Sequence, residues 1–206
     1  MAINLANNNS LANITALPSS ISGGAMTLLA TQTASSSANL SFTSGIDDTY
    51  DSYVFKFYDI HPSHSGRDKL LFQTSINGGS NYNVACTDSV FDAYHDEANG
   101  TAELSYDTNA DAAQSTSFIQ LTPMISNQND ACASGTLTLF NPSSTTFVKH
   151  FIFTGAISFE SGGAAPYIFN RFTGGYFNTT NAINAIQFKM ESANIDSGVI
   201  KLYGIS

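Results

Sequence analysis

The chain has 206 residues, only 11% of them charged, and its net charge is −9, from 7 Lys and Arg against 16 Asp and Glu. This acidic balance lacks the cationic footprint that nucleic acid or an anionic membrane surface requires, so neither is expected as a partner. The hydrophobic fraction of 42% is enough for the core of one domain. With so few charges, the polar surface must come mainly from Ser, Thr, Asn and Gln.

Residues 1–25 lack strand alternation and do not resemble a secretory signal. The first basic residue of the chain is Lys56, and Asn7, Asn8 and Asn9 interrupt the apolar run that a signal peptide needs. Spaced apolar anchors on a polar thread suit an arm that occupies pockets on a neighbouring subunit. We therefore predict an N-terminal anchoring arm over residues 1–25, with a disordered tail as the alternative. Its candidate anchors are Leu5, Leu11, Ile14 and Leu17.

From residue 26 onward, apolar and polar residues alternate repeatedly with a period of two. In the segment 51–62, Tyr53, Phe55 and Phe57 fall on one face, and the segment 182–192 alternates in the same way. This pattern is typical of half-buried strands in antiparallel sheets. Similar segments are 25–34, 38–45, 68–76, 135–142, 145–155 and 198–205.

Turn-forming Gly, Pro, Asn, Asp and Ser residues separate these segments. We count roughly ten strands and no convincing helix, a pattern that favours a two-sheet architecture. The prediction is an all-β fold, a jelly-roll-like antiparallel β-sandwich over residues 26–206. Residues 92–117 are the least regular part, and we expect a short helical turn or a long crossing loop there.

The segment 145–155 carries apolar or aromatic residues on both of its faces. Lys149 and Phe151 fall on one face, and His150 and Ile152 fall on the other. This pattern predicts a strand buried on both sides, in the middle of the sandwich or at a contact between subunits.

Two groups of residues resemble metal ligands. His61 and His64 flank a turn without the Cys pair or helical His pair of a zinc site, so a structural or surface role is expected. Asp47, Asp48 and Asp51 form the best oxygen cluster, which is a candidate calcium site. The same residues are equally suited to closing turns by side-chain to backbone hydrogen bonds.

The sequence contains no catalytic motif, and we predict a protein that is not an enzyme and has no cofactor. The motif GxSxG and a phosphate-binding Gly loop are both absent, and Cys86 and Cys132 lack basic neighbours. The two cysteines are either a disulfide or two buried small residues. A hydrolase with paired carboxylates stays open as an alternative, since almost any two carboxylates can form such a pair. Its candidates are Asp92, Asp96, Glu97 and Glu103.

Several segments of the sequence together resemble a group of small virion structural proteins. In order, these are IDDTYDSYVFKFYDIHP, AYHDE, LFNPSSTTFVKHF, GYFNTTNAINAIQFKM and NIDSGVIKLYGI. The group is encoded by marine tailed bacteriophages, including those that infect cyanobacteria. The resemblance covers residues 26–206 and implies a decoration or fibre-like component of the phage particle. It implies no active-site residue.

These observations lead to one expected function and one alternative. The expected function is a capsid decoration or cement protein on the virion surface, assembled in the host cytoplasm and held by its arm to the major capsid protein or to tail proteins. A homo-oligomer, most simply a trimer, would cover the exposed sheet edges. The alternative is a tail-fibre or spike module that binds host cell-surface glycans by aromatic stacking. Its stacking candidates are Tyr82, Tyr94 and Tyr106.

Overall fold

The computed structural model describes residues 26–159 and 166–206. Within these ranges every regular element is a β-strand, so none of the elements there is a helix that could cross a membrane. The predicted arm over residues 1–25 lies outside the described residues, and its anchors Leu5, Leu11, Ile14 and Leu17 lie outside with it. The strands are β1 (Thr27–Thr33), β2 (Leu40–Phe42), β3 (Ser52–Pro62), β4 (Arg67–Asp68), β5 (Leu70–Ser75), β6 (Cys86–Asp96), β7 (Ala102–Tyr106), β8 (Ile119–Gln120), β9 (Ile125–Ser126), β10 (Ala133–Phe140), β11 (Lys149–Phe159), β12 (Tyr167–Phe177), β13 (Ala185–Met190) and β14 (Ile195–Ile205).

The framework is a jelly roll, because its strands pair as a nested series in which the first meets the last. The antiparallel pairs are β1 with β14, β2 with β13, β3 with β10, and β5 with β8. Pairing of β14 with β3 and of β13 with β5 joins these pairs into two sheets. Such a series wraps into a two-layer sandwich. The predicted jelly-roll-like antiparallel sandwich is confirmed.

Two insertions widen one of the sheets. The hairpin β11–β12 follows β10, and β6–β7 lies between β5 and β8 in the chain. Because β6 pairs with β12, the larger sheet has eight strands in the order β1-β14-β3-β10-β11-β12-β6-β7. It faces a four-stranded sheet in the order β2-β13-β5-β8. The segment 107–118 forms backbone hydrogen bonds along β6 and then leads to β8. It therefore closes the sandwich at the end formed by the inserted strands.

The core between the sheets is mainly aromatic, with Phe188 of β13 at its centre. The ring of Phe188 meets the rings of Phe55 and Phe57 edge-on, at centroid distances of 5.4 and 5.1 Å. It also meets Phe42 edge-on and stacks on Phe72. These phenylalanines are buried, and edge-to-face pairs add to the stabilisation that burial provides. The predicted common face of Tyr53, Phe55 and Phe57 is therefore the core face.

Three local expectations need correction or completion. Residues 92–117 contain the end of β6, a turn over 97–101 and all of β7, so the predicted helical turn is wrong and the part after Tyr106 is a loop. The strand predicted over 145–155 begins at Lys149. It is buried on one side only, because His150 and Ile152 are exposed. The two cysteines do not form a disulfide.

Candidate functional site

The outer face of the larger sheet, which points away from the smaller sheet, contains a groove of about 640 Å³. It crosses β3, β10, β11, β12 and β6, and its volume is within the range of small-molecule sites. One row of cross-strand neighbours spans it. In order across the sheet, the row is Lys201, Lys56, Thr136, Thr154, Phe172, Phe91 and Tyr106.

One wall of the groove is aromatic. Phe91 and Phe172 stack with their ring centroids 4.9 Å apart and an interplanar angle of 22°. The ring of Phe172 lies over Gly174, where an added Cβ would come within 3.1 Å of it. Phe91 is 40% exposed and its neighbour Tyr106 is 51% exposed. Phenylalanines on the solvent side of a strand do not contribute to the core, so this pair forms an aromatic platform that is open to a ligand.

The opposite wall is basic. Lys56 lines the groove, and Lys201 is its direct neighbour on β14. Their ammonium groups lie 5.9 Å and 5.5 Å from the ring centres of Tyr203 and Tyr58, respectively. Neither lysine has an ion-pair partner among residues 26–159 and 166–206, and the groove lining contains no carboxylate. The wall therefore presents uncompensated positive charge on an acidic protein.

The floor between the walls is built from small polar and apolar side chains. Thr136, Thr154 and Ala156 contribute to it from the central strands, and Ser134 and Asn170 add a hydroxyl and an amide. Short side chains on adjacent strands leave the sheet surface low, because larger ones would fill the space above it. The floor supplies donors and acceptors for a polar ligand.

An ion-pair network beneath the groove fixes the strand that supplies the platform. Arg171 lies between Asn170 and Phe172 on β12, but its side chain points to the inner face and is 1% exposed. Its Nε and Nη2 donate to the carboxylate oxygens of Asp92 at 2.8 and 2.5 Å, and Nη2 also donates to Asp107 at 2.6 Å. Such bidentate pairing is directional, so it holds β6, β12 and the start of the segment 107–118 together.

Asp88 completes this inner polar region. Its Oδ1 accepts a hydrogen bond from the backbone N–H of Ala112 at 2.6 Å, whereas its Oδ2 is buried without a partner in the described structure. Burial raises the pKa of Asp88 to about 6, and the nearby charge of Asp111 acts in the same direction. The charge of Arg171 lowers the pKa of Asp88, with a smaller effect than burial.

The structure does not bring the three proposed stacking tyrosines together. Tyr106 is the cross-strand neighbour of Phe91, but its hydroxyl donates to Asp111, and Tyr94 points to the inner face, where its hydroxyl donates to Glu103. Tyr82 lies in another loop, beside Phe118. Instead, Phe91 and Phe172 supply the exposed rings, and sequence reasoning missed both. The alternation of buried Cys86 and Val90 along β6 could have shown that Phe91 points outward.

The calcium candidates serve the turn that contains them. The carboxylate of Asp47 accepts hydrogen bonds from the backbone N–H of Thr49 and the hydroxyl of Tyr53, each at 2.9 Å. In the described residues, no group of three or more His, Cys, Asp or Glu side chains lies close enough to hold a metal ion. The geometry therefore gives no support to calcium binding at Asp47, Asp48 and Asp51.

The other candidate residues also bond to their surroundings. The ring of His64 accepts a hydrogen bond from the N–H of Gly66, and the ring of His61 contacts the carbonyl oxygen of Gln128. Among the four carboxylates of the hydrolase alternative, Asp92 pairs with Arg171 and Glu103 accepts from Tyr94. Asp96 accepts from the N–H groups of the turn after β6, and Glu97 is exposed.

Comparisons with protein-family models, with curated proteins and with solved structures give no match to this chain. Function must therefore be argued from the fold and the groove.

Proposed function

We propose that this protein is a non-enzymatic structural protein of a tailed-phage virion, acting as a capsid decoration or cement protein held by residues 1–25. The observation that carries the proposal is the state of the two edges of the larger sheet. Leu28 on the edge strand β1 is 52% exposed, and Leu104 on the opposite edge strand β7 is 70% exposed. An unpaired strand edge with exposed leucine invites pairing with another chain.

The fold and the composition support the same proposal. Jelly rolls recur in viral capsid and lectin domains, which is an analogy at the level of the fold. The resemblance of residues 26–206 to phage virion proteins points in the same direction. A net charge of −9 disfavours sticking between particles. A closed ring of copies, most simply a trimer, would cover both edges.

Mass spectrometry of purified particles tests the decoration role by counting this chain against the major capsid protein. We expect a copy number comparable to that of the capsid protein, or a simple fraction of it set by the capsid symmetry. A count of only a few dozen copies would contradict decoration and place the protein on the tail. Replacing Leu5, Leu11, Ile14 and Leu17 by Ser should abolish incorporation, whereas replacing Asn7, Asn8 and Asn9 by Ser should not.

The predicted homo-oligomer has its own test at the sheet edges. Leu28→Lys combined with Leu104→Lys should lower the oligomeric state measured by light scattering. Phe147→Lys is the matched control, since Phe147 is exposed in a loop away from both edge strands. A wild-type protein that is monomeric at every concentration would contradict the oligomer.

A second candidate function is the binding of host cell-surface glycans by a tail-fibre or spike module. The exposed platform of Phe91 and Phe172 in an open groove favours it, because aromatic rings stack on the apolar faces of sugars. A glycan array is the test. Specific and saturable binding would support this candidate, and its absence would remove it without affecting the decoration proposal.

A further inference from the structure

We propose that the groove on the outer face of the larger sheet binds an acidic saccharide chain, with one sugar ring on the platform of Phe91 and Phe172 and an acidic group at Lys56 and Lys201. This inference rests on the second candidate function and specifies its ligand class and its site. The ligand chemistry is a pyranose ring that carries an anionic substituent, either a uronate carboxylate or a sulfate ester.

The position of the platform suits stacking against a ligand, and the platform does not belong to the folded core. Phe91 and Phe172 are direct cross-strand neighbours on the solvent side, and no strand among residues 26–159 and 166–206 covers them. The phenylalanines of the core lie on the opposite face of the same sheet. Two stacked rings that are partly in water lack the stabilisation that full burial would provide. A ligand that covers the rings would supply this burial.

The charge of the groove selects an anion. The whole chain has 16 acidic and 7 basic residues, yet the groove lining includes lysine and no carboxylate. Of the five basic residues elsewhere, Arg67 and Lys189 contact aromatic rings, and the other three have polar partners. Lys69 pairs with Glu191, Arg171 pairs with aspartates, and Lys149 is buried with its ammonium donating to two backbone carbonyls. Lys56 and Lys201 are direct cross-strand neighbours, so two positive charges lie side by side at one end of the groove.

The distance between the two walls fits a short oligosaccharide better than a single sugar. Three strand intervals separate Lys56 from Phe172, and neighbouring strands lie about 4.8 Å apart, which gives roughly 14 Å. The hydroxyls of Thr136 and Thr154 line the path between them. An oligosaccharide with one sugar ring stacked on the aromatic wall would reach the lysines with a following sugar. Its hydroxyl groups would form hydrogen bonds with the floor.

The same floor argues against a second copy of this chain as the occupant. An apolar sheet face laid on it would cover the groups of Ser134, Thr154 and Asn170 without supplying hydrogen-bond partners, and buried unpaired polar groups are costly. A saccharide offers hydroxyls at the same positions. Self-association through the groove is therefore an outcome of the test that would overturn the proposal.

Isothermal titration of the full chain with alginate oligosaccharides tests the inference. The neutral comparison is the same oligosaccharide with its carboxylates reduced to alcohols, and a carrageenan oligosaccharide, which carries sulfate esters and no carboxylate, distinguishes sulfate from carboxylate. We expect binding of at least one acidic probe and at least about tenfold weaker binding of the neutral one, the size expected for two exposed charge contacts. Equal affinity for acidic and neutral probes would overturn the acidic specificity while leaving glycan binding intact.

Variants assign the binding to the groove. Lys56→Gln with Lys201→Gln should weaken acidic binding about tenfold and leave neutral binding unchanged. Lys189→Gln is the charge control on the other sheet and should have no effect. Phe91→Ala with Phe172→Ala should remove binding of both probes, whereas Phe147→Ala, another exposed phenylalanine, should not. Circular dichroism confirms that each variant is folded.

Two further results would overturn the inference. Acidic binding that survives both groove variants would show that the site lies elsewhere. A folded chain that binds no probe, and whose self-association is lost on Phe91→Ala with Phe172→Ala, would make the groove a contact between copies and would also remove the glycan candidate. The copy-number test of the decoration role is independent of both results.

Discussion

Where β3, β10 and β14 face the smaller sheet, their inner side chains form a hydrocarbon core, whereas farther along the same sheet β6 and β12 bury Asp88, Asp92 and Arg171. The difference follows from what covers each region. The four-stranded sheet supplies apolar side chains, but the inserted strands are closed by the segment 107–118, which supplies the carboxylate of Asp107. The jelly-roll half is thus held by apolar burial, and the inserted half by a network that must stay paired.

The largest expected effect is on the hydrocarbon side. Phe188→Ala removes the ring at the centre of the aromatic core and leaves a cavity that Phe42, Phe55 and Phe72 cannot fill by small shifts. We expect the free energy of unfolding to fall by about 3–5 kcal/mol, measured by urea denaturation. Phe147→Ala is the exposed control and should cost less than about 0.5 kcal/mol. Similar losses in the two variants would contradict a core centred on Phe188.

The next effect is on the network side. Arg171→Ala leaves Asp92 buried without its cation, and we expect a loss of about 3 kcal/mol, at the lower end for buried pairs because Asp107 keeps some contact with water. Arg67→Ala is the control, since that guanidinium is exposed and stacks on Phe159. Equal decreases in the free energy of unfolding for the two arginine variants would contradict a stabilising role of the network in the inserted half.

A combined replacement separates the cost of charge from the cost of packing. Arg171→Met with Asp92→Leu and Asp107→Asn removes all three charges of the network. We expect it to recover most of the stability lost by Arg171→Ala, because an apolar substitute of similar volume often equals a buried ion pair. If the combined variant is less stable than Arg171→Ala, the network contributes more to the free energy of unfolding than the neutralisation of its own buried charges.

These two regions also show what the sequence could predict about the fold. The period-two pattern located β3 and β13, and it assigned Tyr53, Phe55 and Phe57 to one face, because alternation depends only on neighbours along the chain. Pairing depends on contacts between distant segments. The nested order that joins β1 to β14 was therefore expected only as a class of fold, and the insertions that widen one sheet were not anticipated.

The groove was harder to predict, for the same physical reason. Phe91 and Phe172 belong to different hairpins and become neighbours only when β6 pairs with β12. Arg171 has the same dependence, since its partners Asp92 and Asp107 lie in other segments. The prediction of stacking tyrosines was based on residue type alone. The structure places Tyr94 on the face of β6 opposite to Phe91, and residue type does not specify which face of a strand a residue occupies.

A pH-dependent test sharpens the comparison further. The pKa of Asp88, raised by burial to about 6 from an ordinary 3.8, means that the native state keeps a proton that the unfolded chain releases. The contribution of this group to stability is therefore lost as the pH rises from about 4 to about 6. Asp88→Asn does not titrate, so it should exceed the wild type in stability above pH 6.

The expected gain is about 2 kcal/mol, since two pKa units correspond to roughly 3 kcal/mol and residual solvent access reduces this. Urea denaturation of both proteins across that pH range measures the difference. Asp48→Asn, in an exposed turn, is the control and should follow the wild-type profile. A wild type and an Asp88→Asn variant with parallel profiles would show that Asp88 is not the group that titrates.

The smallest effect concerns the polar contact at the rim of the hydrocarbon region. The buried Tyr53 hydroxyl accepts from the backbone N–H of Asp47 at 3.0 Å and lies 2.9 Å from its carboxylate. Tyr53→Phe keeps the ring in the core and should cost about 1 kcal/mol, the size of one net hydrogen bond, because the groups of Asp47 that lose the hydroxyl lie in an exposed turn that water reaches.

The same variant has a local readout that global unfolding cannot give. Hydrogen bonds from Thr49, and after them from Tyr53, hold the pKa of Asp47 below its ordinary value. Tyr53→Phe should therefore raise the Asp47 pKa partway towards that value, as measured by NMR titration of the carboxyl group, while Thr49 maintains the rest of the shift. An unchanged pKa would mean that the hydrogen bonds from Thr49 alone lower the pKa of Asp47. The contribution of this hydroxyl to stability would then come from its hydrogen bonds with the backbone of Asp47, a small addition to the apolar burial that holds the jelly-roll half.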